Sequence, residues 1–324
     1  LTAADHKGIP PLAALDEALV AALRSGAIKL LRAEFLRSEL SEAMLPKLLR
    51  RQALERMEEE RRIRIFLTPE EAVAALRSLC REVAGLTYGW ASPDHPDVTG
   101  EYLANVRRFL RHPLGEHVTA LFWDFSSLPQ KPRTAAEDEF FYQALKVMGD
   151  VYASLFGTIV IRHRSVPARP AELDGEVVIL VEKGGGLDGA GAEAELRSAL
   201  GAFENPRYEE GRWRVRVPTH AAAEEAVEEA SAADALPGAI AVFLFYNSRP
   251  YLARGWTTFE ALAYFPGLGK LLEERLTPKV VEIDGDGPRV AEMEDRADEG
   301  MGPRNKRVIA AIEAASFTGK GDKP

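Results

Sequence analysis

The sequence predicts an α/β protein: a parallel sheet, interrupted by an inserted ferredoxin-like α+β subdomain and preceded by a helical N-terminal segment. Three observations lead there. From about residue 85 onward, short apolar runs alternate with helix-period stretches, the pattern of a parallel sheet covered by helices. Residues 166–238 open with Pro167, Pro170 and Gly175 and then follow an order close to βαββαβ, the ferredoxin-like plan. Residues 11–62 repeat apolar side chains at helical spacing, through Leu15, Leu19, Ala22 and Leu23 and again through Leu30, Leu31, Phe35 and Leu36. The boundaries expected are 1–84 for the helical segment, 85–165 with 246–324 for a discontinuous α/β domain, and 166–245 for the insertion.

Gly26 and Pro46 punctuate the first segment, which predicts two or three helices rather than one rod. Residues 50–64 mix both charge signs densely and read as a solvated face. Thr68, Pro69 and Glu71 start a helix mechanistically. Thr68 caps, Pro69 suits the first helical position and Glu71 completes a capping box. That helix is expected to run to about Val83. A strand follows at 86–90, then a Pro-punctuated polar loop at 92–97 and a helix over 100–111. The next strand, 118–125, stops at Ser126 and Ser127. A helix over 137–155 follows, with Gly157 marking its end, and then a strand over 158–162.

Within the insertion the spacing predicts a strand at 177–182, a helix at 193–203 and a short strand near Tyr208. A strand at 212–217, a helix at 220–232 and a strand at 240–245 complete it. RNA-recognition modules share this plan but stack bases on aromatics of two central strands. Here Arg212, Arg214 and Arg216 hold the positions where those aromatics would stand. A further strand is expected at 280–283 and a closing helix at 305–315.

Composition limits the function classes. The chain has 324 residues, a net charge of −9 and 46% hydrophobic residues, enough for a core and against broad phosphate-backbone binding. Nucleic acid is therefore not an expected partner. Cys80 is the single cysteine, so neither an intrachain disulfide nor a cysteine zinc site is expected. The apolar runs are too short to span a bilayer, and a cytoplasmic setting is the default reading. Leu1 is not a start residue, as expected of a fragment or processed chain, which leaves room for a removed targeting peptide.

Several clusters bear chemistry. Gly184, Gly186 and Gly189 spell GxGxxG, with Glu204 at about the distance of a ribose-binding acid. The same run reads as a flexible loop, and its surroundings fit the ferredoxin-like order better than a βαβ unit. Asp124 ends a strand ahead of Ser126, Ser127 and Gln130. It suits a ligand at the carboxyl end of a parallel strand or a cap on the next turn, and the sequence leaves both open. His95 and His163 lack partners at metal-ligand spacing and read as satisfied surface or loop histidines. Trp256 and Glu260 lie four residues apart, so a helix starting near Arg254 would place ring and carboxylate on one face. That face lies beside a ligand crevice or, as the residue pattern alone favours, belongs to an amphipathic helix whose Trp packs inward and whose Glu is solvated.

Three segments together resemble the Toll/interleukin-1 receptor (TIR) family and the related heterokaryon-incompatibility domains. Residues 86–90 (Leu-Thr-Tyr-Gly-Trp) look like the first TIR strand. Residues 122–130, an aromatic-Asp strand with a Pro-Gln turn, are followed by Met148 and Tyr152 on a helix. Residues 251–260 resemble the stretch in which a Tyr, a Trp-Cys pair and a Glu open a helix, with Thr257 standing where that pattern has Cys. The resemblance covers about 86–165 and 246–285 and implies a flavodoxin-like parallel sheet. In catalytic members the helix glutamate serves in cleaving NAD to nicotinamide and an ADP-ribose product, a role that would fall on Glu260. NAD would then be a substrate, and no bound cofactor is expected. From chemistry alone, Tyr88, Trp90, Tyr251 and Trp256 offer aromatic surface for the bases, Arg254 a phosphate contact, and Asp124 and Ser126 polar groups. The alternative is a non-catalytic signalling scaffold that assembles as a homo-oligomer or with other TIR-like domains.

Overall fold

The computed structural model describes residues 16–78, 80–182, 184–188, 191–209, 211–231, 236–254, 257, 277–291 and 310. The chain divides into two compact units, one of residues 1–89, 99–166 and 249–324, the other of residues 90–98 and 167–248. Each is built around its own sheet. Among the described residues no helix is long and apolar enough to cross a membrane.

The first unit is α/β, with a mixed, mostly parallel sheet of six strands. In chain order its described elements begin with α1 (Glu17–Ser25), β1 (Leu31–Arg32), α2 (Ala33–Arg37), α3 (Glu39–Met44), α4 (Arg51–Arg61) and α5 (Pro69–Arg77). They continue with β2 (Val83–Tyr88), α6 (Glu101–Leu110), β3 (Ala120–Phe122), α7 (Asp124–Ser127), α8 (Ala135–Leu145), α9 (Met148–Ala153) and β4 (Thr158–His163). The strand order is β1-β3-β2-β4, continuing to two later strands, Val280–Glu282 and Arg289–Val290. The inner four strands are parallel, and the two outermost are short antiparallel additions. All six residues of β2 are buried, as expected of a strand covered on both faces. Gly85 lets α9 come close: a Cβ there would sit 2.9 Å from Val151 Cγ1.

Residues 16–78 are not a separate helical layer. β1 extends the sheet edge against β3, and Leu19, Leu23, Ile28 and Leu76 share one core with Val83, Phe122, Val151 and Val160. Gly26 ends α1 in the left-handed region, at φ 77°, as its place after the apolar run requires. Buried and half-buried guanidinium groups tie this segment down. Arg51 donates to the carbonyls of Gly26, Ala27 and Ser127 at 2.8–3.2 Å. Arg37 reaches those of Leu110, Gly115, Glu116 and Val118 at 2.7–3.1 Å. Arg107 on α6 returns the contact to Ser41 and Leu45. The charged stretch at 50–64 thus has a buried arginine, and is a solvated face only in part.

The capping box at Thr68 and Glu71 forms as the sequence predicts, but α5 stops at Arg77, and Val83 already belongs to β2. The single helix expected over 137–155 is two. α8 fully buries only Ala144, whereas α9 buries Met148, Val151 and Tyr152, so the break re-aims the chain at the sheet. Gly157 is not a helix cap, since α9 ends at Ala153 with Ser154 as its C-cap. Its role is steric: a Cβ would fall 2.5 Å from Leu76 Cδ1 and 2.8 Å from the Leu76 carbonyl oxygen.

The second unit places β5 (Glu176–Val181), α10 (Ala192–Leu200), β6 (Glu204–Glu209), β7 (Arg212–Arg216), α11 (His220–Ala230) and β8 (Ala239–Leu244) in a four-stranded antiparallel sheet with helices. The strand order is β6-β7-β5-β8. Alternation sends Trp213, Val215 and Val217 into a core with Val177, Ile179, Leu196 and Ala223, and leaves Arg212, Arg214 and Arg216 on the opposite face. We number the two remaining strands of the first sheet β9 (Val280–Glu282) and β10 (Arg289–Val290).

Lys279, at the entry to β9, is fully buried. Its ammonium donates to the Thr158 carbonyl at 2.8 Å, to Thr158 Oγ1 at 2.7 Å and to the Ser154 carbonyl. Burial, and then the nearby Arg81, push its pKa well below the ordinary 10.5. The folded state therefore releases this proton more readily than the unfolded chain, and stability rises with pH between the lowered folded value and 10.5. Chemical denaturation of the parent and Lys279→Met at pH 7.5, 9 and 10 is expected to show the difference shifting in the parent's favour as pH rises.

Candidate functional site

The order β3-β2-β4 reverses the direction of sheet growth at β2. Ligands of open α/β sheets bind outside the carboxyl ends of the strands at such a reversal. Here those ends are Tyr88-Gly89 after β2, Trp123-Asp124 after β3 and His163 to Ser165 after β4.

Three contacts organise this edge. The Tyr88 hydroxyl donates to Asp124 Oδ1 at 2.9 Å, and the same oxygen accepts the Phe125 backbone N–H at 2.7 Å. Asp124 is thus the first residue of α7, bound to the next backbone N–H, and the partner of a buried phenol. Burial, and then the Asp124 carboxylate, push the Tyr88 pKa well above its ordinary value, so the phenol stays protonated and acts as donor. Thr87 Oγ1 and the Tyr251 hydroxyl lie 2.7 Å apart, which fixes the 3-10 turn Tyr251–Ala253 to the end of β2. Arg254 follows that turn, 7% exposed, with Nε donating to the Arg249 carbonyl at 2.9 Å. Its guanidinium carbon would lie 2.7 Å from a Cβ on Gly89. Glycine at 89 is what lets a cation lie across the end of the central strand.

An aromatic layer runs along the same edge. Tyr88 meets Trp123 and Tyr102 edge-on at 5.6 and 5.1 Å, and Tyr102 meets His163 at 4.5 Å. The Tyr102 hydroxyl donates to the Gly89 carbonyl at 2.7 Å. Asn105 Nδ2 lies 2.7 Å from His163 Nε2, and the Ser165 carbonyl 2.9 Å from His163 Nδ1. An amide donor on one nitrogen and a carbonyl on the other specify the neutral Nδ1–H tautomer. Burial holds the His163 pKa below its ordinary value, against the opposing pull of the Ser165 carbonyl and Asp284. His163 is thus a satisfied residue, as the sequence predicts, but at a buried strand end rather than in a loop. Tyr102 and Asn105 were not singled out from sequence. Their i, i+3 spacing on α6 was the available signal.

Beyond β4 lies a charged network. Glu282 accepts from Arg162 at 2.7 Å and Arg164 at 3.3 Å, and also pairs with Arg289. Burial opposes its ionisation, but Arg162 and then Arg289 hold its pKa below the ordinary carboxylate value. Asp284 accepts the backbone N–H groups of Arg164 and Ser165 at 2.9 and 2.7 Å. These carboxylates fasten β4 to β9.

Of the residues singled out from sequence, Tyr88, Asp124, Tyr251 and Arg254 gather at the carboxyl edge of the first unit. Tyr251 is 3% exposed, so it holds the turn and offers no open stacking face. Ser126 is fully buried, and its hydroxyl donates to the Leu49 carbonyl at 2.7 Å, which commits it to anchoring the segment before α4. Trp90 is half-buried and belongs with 91–98 to the second unit. Trp256 and Glu260 lie outside the described residues, as do Gly189 and the helix expected over 305–315, apart from residue 310.

The GxGxxG run does not open a βαβ unit. β5 pairs antiparallel with β7 and β8, and Glu204 lies on β6, two strands away. The Gly184 N–H is taken by Asp188 at 2.8 Å, and this arrangement sets the dinucleotide reading aside. His95 accepts the Asp97 N–H on Nδ1 at 3.0 Å. Among the described residues no group of His, Cys, Asp and Glu is placed to hold a metal ion.

Comparison with protein-family models, with curated proteins and with solved structures found no match.

The Tyr88–Asp124 bond carries a stability prediction. Tyr88→Phe leaves a half-exposed carboxylate that water can serve, and is expected to cost about 1–1.5 kcal/mol. Asp124→Ala orphans a buried phenol and removes the acceptor of the Phe125 N–H, and is expected to cost more, about 2–3 kcal/mol. Urea unfolding checks the order.

Proposed function

We propose that the first unit is a flavodoxin-like, TIR-like domain that cleaves a nucleotide of the NAD type, with Glu260 as the acting carboxylate, and that the second is a ferredoxin-like insertion. The observation that carries the reading is the strand order. Numbered along the chain, the parallel strands run 2-1-3-4, the flavodoxin-like arrangement, and the polar and aromatic groups described above flank its reversal point. The insertion has the βαββαβ succession with β6-β7-β5-β8 as its order, in keeping with a ferredoxin-like plan.

The chemistry follows from the groups. Cleavage breaks the bond between the ribose anomeric carbon and the nicotinamide ring nitrogen. The nitrogen keeps the electron pair, and nicotinamide leaves as a neutral molecule. The sugar passes through an oxocarbenium-like state, which a carboxylate such as Glu260 stabilises while holding ribose hydroxyls. Water then adds to the anomeric carbon and gives its proton to solvent. Arg254, at the end of β2, supplies a donor fork for a phosphate. Trp256 is the assigned stacking surface, since Tyr251 is buried and Trp90 belongs to the second unit.

A second reading has its own support. Tyr88 with Asp124, and Thr87 with Tyr251, satisfy one another, as in a rigid scaffold that assembles through its surfaces without turnover. Nicotinamide release from NAD, measured over a protein concentration series beside Glu260→Ala, separates the two. The enzyme reading expects turnover that falls at least about 100-fold in the variant with the melting temperature unchanged. Absence of turnover at every concentration, with parent and variant assembling alike, would leave the scaffold.

A further inference from the structure

The outer face of the four-stranded sheet carries a feature that nucleotide cleavage does not use. Residues 167–248 hold seven basic and fifteen acidic side chains, a net of −8, yet four of the seven bases stand together on β6 and β7. Register places Arg207 directly opposite Arg214 on the adjacent strand. Like charges in that position repel, so the pair is costly unless an anion lies between. Arg212 is the next residue on the same face of β7, opposite Glu209.

These side chains and Val178 line one small concavity, and Asp94 enters it from residues 90–98. Its carboxylate pairs with Arg212 through one oxygen and lies 3.7 Å from Arg214 Nη1 through the other. The Arg214 guanidinium lies 3.7 Å from the centre of the Phe245 ring, and its Nε is held by Glu176, so its orientation is fixed. Among the described residues no carboxylate pairs with Arg207. The concavity therefore already binds one carboxylate, contributed by the chain itself, and retains a third guanidinium facing the same space.

We propose that this concavity is a binding site for a small phosphorylated ligand, whose phosphate displaces Asp94 and engages Arg207, Arg212 and Arg214 together. A terminal phosphate presents three acceptor oxygens to three donor groups, where the resident carboxylate presents two. The unit's net negative charge and the arginines in place of stacking aromatics favour a small ligand over a nucleic acid strand. Displacement releases the Asp94 carboxylate from Arg212 and Arg214. The proposal is independent of Glu260 and of NAD cleavage.

Titration of the full chain with inorganic phosphate, followed by phosphorus NMR at low salt, tests it. Asp94→Asn removes the competing charge and is expected to tighten binding about tenfold, while Arg207→Gln weakens it about tenfold. The Arg212→Gln, Arg214→Gln double variant is expected to abolish binding, and Arg197→Gln on α10 to leave it unchanged. Thermal melts monitor folding, and if the double variant unfolds, the Asp94 and Arg207 arms decide. Unchanged affinity in Asp94→Asn or in Arg207→Gln would overturn the proposal. So would binding confined to a uridine oligonucleotide with a steep salt dependence, which would mark a nucleic acid surface instead.

Discussion

The carboxyl edge of the first unit is positioned by β2, and β2 is positioned by burial on both faces. Its sequence, Val-Ala-Gly-Leu-Thr-Tyr, has no charge, and every residue in it is buried. Parallel partners on either side fix its register, with Val83 opposite both Ala120 and Thr158 and Tyr88 opposite His163. A slip of one residue would turn every side chain to the other face. Gly85 admits α9, and the Tyr152 hydroxyl then locks onto the Leu86 carbonyl at 3.0 Å. Once that register is set, Thr87 can meet Tyr251, Tyr88 can meet Asp124, and Gly89 clears the space in which Arg254 lies.

Buried arginines solve a second problem. The N-terminal segment is a chain of short helices with turns between them, and such turns leave carbonyl groups without partners. Arg37, Arg51 and Arg107 serve those groups with planar forks of donors. A surface ion pair contributes little to stability. A guanidinium that satisfies three or four buried carbonyls is different, because removing it strands every one of them. This is why the segment is continuous with the sheet's core.

Local chemistry was legible in the sequence, and long-range partnership was not. The capping box at Thr68, the glycine stop at Gly26, the alternation of β7 and the βαββαβ succession all rest on neighbours within a few residues. The α/β class and the parallel sheet were read from the same periodicities. The break between α8 and α9, the two-residue β1 and the bond of Ser126 to Leu49 depend on residues far apart in sequence. Gly157 shows the difference well, since a glycine near a helix end suggests a cap, whereas this one is required by Leu76 from α5. Asp124 was open between ligand contact and cap; in the structure it is the first residue of α7 and accepts from the Phe125 N–H and from a phenol that sequence spacing could not supply.

A nucleotide at the reversal point of the parallel sheet is the central proposal. Hydrogen–deuterium exchange of the full chain with and without saturating ADP-ribose measures this by segment. Slowed exchange in peptides covering 86–90 and 249–257, with the amino-terminal ends of β2 and β4 unchanged, is the result predicted. Protection elsewhere, with those two segments unaltered, would contradict it.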